Sequence, residues 1–94
     1  MADDDVVEIK CNVNRSGVTP VPVKNTDNLY IKGIMQAVKA YEKLTVKAAM
    51  NGSRADAIAA LMVHPLIGDF KKAKAVFDEM ANANAEFLPK GLLK

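Results

Sequence analysis

VKAYEKLTVKAAMNGSRADAIAALMVHPL, Val38 to Leu66, decides the fold. Its first half continues an apolar spacing that starts upstream: Ile31, Ile34, Met35, Val38, Tyr41, Thr45 and Ala48 recur at the three- and four-residue intervals of one helix face. A helix from Leu29 to about Met50 would be roughly 33–36 Å long at 1.5 Å per residue. Asn51-Gly52 stops it, because either residue tolerates the left-handed position after a helix. Ser53 caps a new helix, with Asp56 three residues on in a capping-box-like pair. That second helix, RADAIAALMV, is apolar nearly all round and is expected to be the buried one. His64-Pro65 ends it, since proline disfavours a helical residue before it.

Outward from this core, NTDN supplies the start of the first helix, with Thr26 or Asp27 as its N-cap. Downstream, Asp69 caps a third helix. One face of that helix carries Phe70, Ala73, Phe77, Met80, Ala81 and Asn84, and the opposite face Lys71, Lys74, Asp78 and Asn82. Pro89 closes it by about Leu88, and PKGLLK reads as a frayed tail. Upstream, DVVEIKCNVN alternates, with Val7, Ile9, Cys11 and Val13 on one face, the pattern of a half-buried strand. Gly17 turns the chain, and Pro20 and Pro22 make the following VTPVPV an edge strand or extended arm. Two strands alone are marginal in water, so this hairpin needs a helix, another sheet or another copy to cover it. The expected fold class is α+β, mostly helical: a β-hairpin over 5–23, then a three-helix segment over 27–88. It forms a single domain or fragment over 1–94 without internal repeats.

The 94 residues carry a net charge of +2 and are half apolar, which suits a small globular domain and argues against disorder and against nucleic acid. The single cysteine, Cys11, cannot form an intrachain disulfide, and a reducing, cytoplasmic setting is expected. The acidic start MADDDVVEIK does not read as a signal peptide, and no apolar run approaches a membrane span.

Few residues invite chemistry. Lys32, Lys39, Lys43 and Lys47, with Gln36, stripe the first helix over roughly 80° of arc. Without interleaved aromatics this is a solvated face before it is an anion site. His64, the only histidine, has no cysteine or carboxylate near it in sequence and reads as a helix-end histidine. Cys11, on an apolar strand face, reads as a small hydrophobe. Arg15 sits at a turn tip and reads as solvated, and NRSGVTP lacks the following helix that a phosphate cradle requires. Asp3, Asp4 and Asp5 read as solvating charge on a mobile terminus, and Met35, Met50, Met62 and Met80 as core filling. No pair of titratable groups is placed for general acid–base work.

The ordered set DVVEIKCNVNRSGVTPVPV, VKAYEKLTVKAAMNGSRADAIAALMVHPLIGDFKKAKAVFDEM and EFLPKGL resembles the C-terminal end of the family 4 glycosidases, from Asp5 to Leu92. That family includes the 6-phospho-α- and 6-phospho-β-glucosidases. The resemblance implies the C-terminal part of a lactate-dehydrogenase-like C-terminal domain. In the whole enzyme it also implies glycoside cleavage by oxidation and elimination with NAD and Mn2+, an exception to two-carboxylate hydrolysis. The family's glycine fingerprint, metal-binding cysteine and histidine, and catalytic tyrosine lie upstream of the matched portion. Cys11, His64, Tyr30 and Tyr41 do not correspond to them, so no residue here is assigned a catalytic, cofactor-binding or metal-ligating role. The expectation is a C-terminal fragment with a scaffold and oligomer-contact role, not catalytic alone. Homo-oligomers would form through apolar helix faces or the hairpin edge, without nucleic acid or membrane. The alternative is a stand-alone, non-catalytic interaction module derived from the same domain.

Overall fold

The computed structural model describes residues 2–24 and 27–93. Two short strands, β1 (Cys11–Asn14) and β2 (Gly17–Pro20), pair antiparallel with Cys11 opposite Pro20 and Asn14 opposite Gly17. Three helices follow: α1 (Leu29–Asn51), α2 (Arg54–Val63) and α3 (Phe70–Ala83). Single 3-10 turns at Ala85–Phe87 and Lys90–Leu92 complete the chain. The mostly helical α+β class expected from the sequence is the class observed.

Each helix begins at a side-chain cap. Ser53 and Asp69 accept from the amides of Asp56 and Lys72, as the sequence predicts. The cap of α1 is Asn28, whose Oδ1 accepts from the Ile31 amide at 3.2 Å. The helix therefore starts later than a cap at Asp27 would place it, and Thr26 lies outside the described residues. Gly52 ends α1 with φ +63°, and the amides of Gly52 and Ser53 both reach the Ala48 carbonyl.

The helical face of α3 ends earlier than Pro89 suggests. Asn84 closes it by donating its side-chain amide to the Met80 carbonyl at 2.8 Å. PKGLLK is not a frayed tail. Lys90–Leu92 forms a turn against α2, and the Leu92 side chain is buried. Gly91 lies so close to the α1–α2 turn that a Cβ there would collide with the Gly52 carbonyl oxygen.

The core is thin. Its buried apolar residues are Ala48, Ala60, Ala73, Ala81 and Leu92, and among the described residues no large side chain is fully enclosed. α2 lies centrally, packed chiefly on α1 and then on α3, yet only Ala60 within it is buried and Met62 is exposed. The expectation of a buried second helix fails because no further layer covers its outer face. The expected strand face is likewise open: the ladder is only four residues long on each side, and Val13 stays 76% exposed. The Cα radius of gyration is 17.1 Å, where a compact chain of this length would have about 12 Å.

Candidate functional site

Among the described residues, two hollows that face solvent stand out. The larger, about 320 Å³, is an apolar groove floored by α1 and α2 and closed at one end by α3 and the C-terminal turn. Tyr41 and Ala48 come from α1, Ala60 and Leu61 from α2, Phe77 and Met80 from α3. The sequence places these groups on apolar helix faces. It does not reveal that Leu88 and Leu92 complete the rim, because the docking of residues 90–92 depends on tertiary packing. The pair of leucines after Pro89 was the available signal. Among the described residues, no carboxylate, lysine, arginine or thiol lines this groove, and Tyr41 is its one ionisable group.

The smaller hollow, about 270 Å³, is charged. Here Lys43 bridges Asp4 at 2.7 Å and Asp5 at 2.8 Å, and Lys39 meets Glu42 at 2.8 Å and the Val6 carbonyl. The lysine stripe is thus more than a solvated face. Lys39 and Lys43 strap residues 4–6 onto α1, while Lys47 lies 3.6 Å from Asp56 and Lys32 is exposed. Asp4 and Asp5 are correspondingly not mere solvating charge on a mobile end. Hydrogen bonds from Lys43 hold both carboxyls below the ordinary aspartate value and raise the lysine in turn.

His64 stacks edge-on to Tyr41, with ring centroids 4.7 Å apart, and its Nδ1 accepts from the Leu66 amide at 3.1 Å. Its ring therefore caps the turn after α2. Cys11 is half-buried, with Sγ 3.5 Å from the Ile9 carbonyl. Asp78 joins α3 to α2, accepting from Lys74 at 2.8 Å and from Arg54, whose guanidinium lies 5.2 Å from the Phe77 ring centroid. The bonds from Lys74 and then Arg54 lower the Asp78 carboxyl below its usual value.

This donor set does not fit manganese. Nδ1 of the sole histidine is taken by a backbone amide, the sole thiol lies on the hairpin, and no three His, Cys, Asp or Glu side chains converge among the described residues. Nor does a glycine-rich strand-to-helix turn exist here to take a dinucleotide pyrophosphate. Among the described residues, no helix is long and apolar enough to cross a membrane.

The architecture defines a helical packing unit with one hollow apolar face. Residues 1–67 match the family model for the family 4 glycosyl hydrolase C-terminal domain, and the chain belongs to that family. It is 31% identical over 87 residues to a probable 6-phospho-beta-glucosidase of Bacillus subtilis, covering 93% of this chain and 20% of that protein. It is 36% identical over 91 residues to the 6-phospho-beta-glucosidase BglT of Thermotoga maritima, covering 97% and 22%. Against the phospho-alpha-glucosidase PagL of Clostridium acetobutylicum it is 34% identical over 84 residues, covering 89% and 19%. The chain thus spans about a fifth of the length of the curated relatives it matches. No solved structure matches it significantly.

Proposed function

We propose that this chain acts as the C-terminal scaffold of a cytoplasmic 6-phospho-glycosidase. It supplies packing surface and oligomer contacts, and no catalytic group of its own. The observation that carries this reading is the pairing of a family match over most of the chain with a hollow apolar face that lacks an acid–base pair. In the whole enzyme, NAD and Mn2+ would supply oxidation–elimination chemistry on a phosphorylated disaccharide. This chain's part is to hold shape: the strap from Lys43 to Asp4 and Asp5 and the link from Arg54 to Asp78 fix its segments for packing.

Replacement of the matching 91 residues of the Thermotoga maritima relative by this chain tests the reading. The chimera is expected to turn over a chromogenic 6-phosphoglucoside with NAD, Mn2+ and a reductant, while the isolated chain does not. Turnover by the isolated chain, or a folded but inactive chimera, would overturn it.

A further inference from the structure

The strands of the hairpin pack on each other while the helices pack among themselves, and two strands alone are marginal in water. The two edges of this hairpin are not equivalent. The Val21 amide donates to the Lys10 carbonyl at 2.9 Å, and the ladder continues through Asn12 with Thr19 and Asn14 with Gly17. Residues between these turn their backbone groups outward. They are Val18 and Pro20 on β2 with Pro22 just beyond it, and Cys11 and Val13 on β1 with Ile9 just before it. The β2 edge is therefore closed, since its two prolines bring no N–H to a new neighbour. No proline interrupts the β1 edge. Among the described residues, the side-chain hydrogen bond found along it is the long one from the Cys11 thiol to the Ile9 carbonyl, at 3.5 Å.

The side chains on this edge are complementary to themselves. Val7, Ile9 and Cys11 share one face, and Glu8 and Lys10 the other. Laid antiparallel on a second copy with Ile9 opposite Ile9, each Glu8 meets a Lys10 and each Val7 a Cys11. A register centred on Lys10 sets lysine on lysine, and one centred on Glu8 sets acid on acid. Centred on Cys11, the pairing leaves Glu8 against Asn14 and Lys10 against Asn12. An in-register parallel pair sets like on like. Opposite charges facing across a ladder stabilise it, and like charges destabilise it. Within one copy Glu8 and Lys10 are exposed and, among the described residues, enter no ion pair. Val7 and Ile9 stay 42 and 40% exposed.

We propose that the β1 edge receives the same edge of a second copy of this chain, with Val7 to Cys11 antiparallel about a two-fold axis at Ile9. Two hairpins then become one four-stranded sheet. The Glu8 and Lys10 pairs lie on one face, and Val7, Ile9 and Cys11 from each copy on the other. The two-fold consumes the open edge of both copies, and the prolines on the outer strands stop further growth, so assembly ends at two chains. Lys39 and Lys43 hold residues 4–6 on α1, which sets where the free edge begins.

This rests on the oligomer-contact part of the function proposed above, but it is read from mass and not from turnover, so either can fail without the other. Sedimentation equilibrium of the 94-residue chain over a wide concentration range should show a dimer that dissociates on dilution. Glu8→Lys and Lys10→Glu should each weaken the dimer about tenfold or more, and an equimolar mixture of the two should restore it, because each chain then brings one sign to both pairs. Ile9→Pro removes an outward N–H and leaves the Lys10–Val21 bond in place, as Pro20 and Pro22 do on the other strand. It should abolish the dimer, and placed in both charge variants it should abolish the mixed dimer, while helicity in circular dichroism stays unchanged. A monomer at every concentration would overturn the proposal and leave the edge to another strand of a longer glycosidase chain. A dimer indifferent to Ile9→Pro, or a mixture of the charge variants that stays monomeric, would overturn it as well.

Discussion

The His64 imidazole stands at 90° to the Tyr41 ring with 4.7 Å between centroids, which ties the end of α2 to the middle of α1. The same imidazole accepts from the Leu66 amide. Its replacement removes an edge-to-face contact, about 0.5–1.5 kcal/mol, and a hydrogen bond of about 0.5–1.5 kcal/mol. His64→Ala is therefore expected to lower stability by about 1–3 kcal/mol, and His64→Phe by less, since it restores the ring but not the acceptor. Denaturant midpoints of the two variants check the order; equal losses would show that the ring contact contributes nothing.

Acid should loosen the fold at two defined places. Asp4, Asp5 and Asp78 all have folded-state values below the ordinary 3.8, through bonds from Lys43 and from Lys74 with Arg54. A depressed carboxyl contributes stability that is present above its unfolded value and lost as pH falls through its folded one. Stability should thus decline below pH about 4. Asp78→Asn should flatten part of that decline while lowering the neutral-pH plateau. At the alkaline end the sign reverses: the raised Lys43 keeps its strap below the ordinary 10.5 and releases it as pH climbs through the folded value. Urea midpoints measured across this range test both limbs, and a profile unchanged down to pH about 3 would contradict the first.

The C-terminal turn is expected to be a structural part of the helical body. Gly91→Ala sets a methyl against the Gly52 carbonyl and should cost about 1–3 kcal/mol through forced displacement. Leu92→Ala should cost about 2 kcal/mol, the low end for a buried leucine because the groove beside it is open. Thermal unfolding of both variants is the check. A tail without a packing role would tolerate each change at no cost.

The hairpin should open without the helices. Gly17 has φ +116°, which a β-carbon resists, and the ladder it closes is exposed on both strands apart from half-buried Cys11. Gly17→Ala is expected to speed amide exchange at Asn12 and Thr19, the pair whose amides bond across the ladder, while the helical melting transition stays where it was. A coincident shift of the melting transition would show that the hairpin is part of the same cooperative unit.

What could be read in the sequence was local. Ser53, Asp69, the Asn51-Gly52 stop and the His64-Pro65 break act within a few residues of themselves, and each stands where its spacing predicts. The family resemblance rested on the order of such signals and is the one the chain carries. What escaped was non-local. Lys43 meets carboxylates 39 and 38 positions away, and no periodicity announces that. Leu92 is buried because residues 90–92 dock on α2, a contact invisible in the spacing of PKGLLK. The groove was not legible for a related reason. Its walls are apolar faces legible in the spacing, but how far apart they stand depends on how the helices pack, which the spacing does not carry.

Because Asn28, Ser53 and Asp69 each start their own helix, the chain is divided at its linkers into pieces that carry their own instructions. Recombination between related genes that cuts within 24–27 disturbs no helix start, but it separates Asp4 and Asp5 from Lys43. A crossover between α1 and α2 would separate Lys47 from Asp56, a long and exposed contact, and also Tyr41 from His64 across the most extensive helix packing in the chain. A crossover between α2 and α3 would separate Arg54 from both Asp78 and Phe77. The three helices therefore form the natural unit of inheritance, and shuffled libraries of these glycosidases should yield folded hybrids most often when all three travel together.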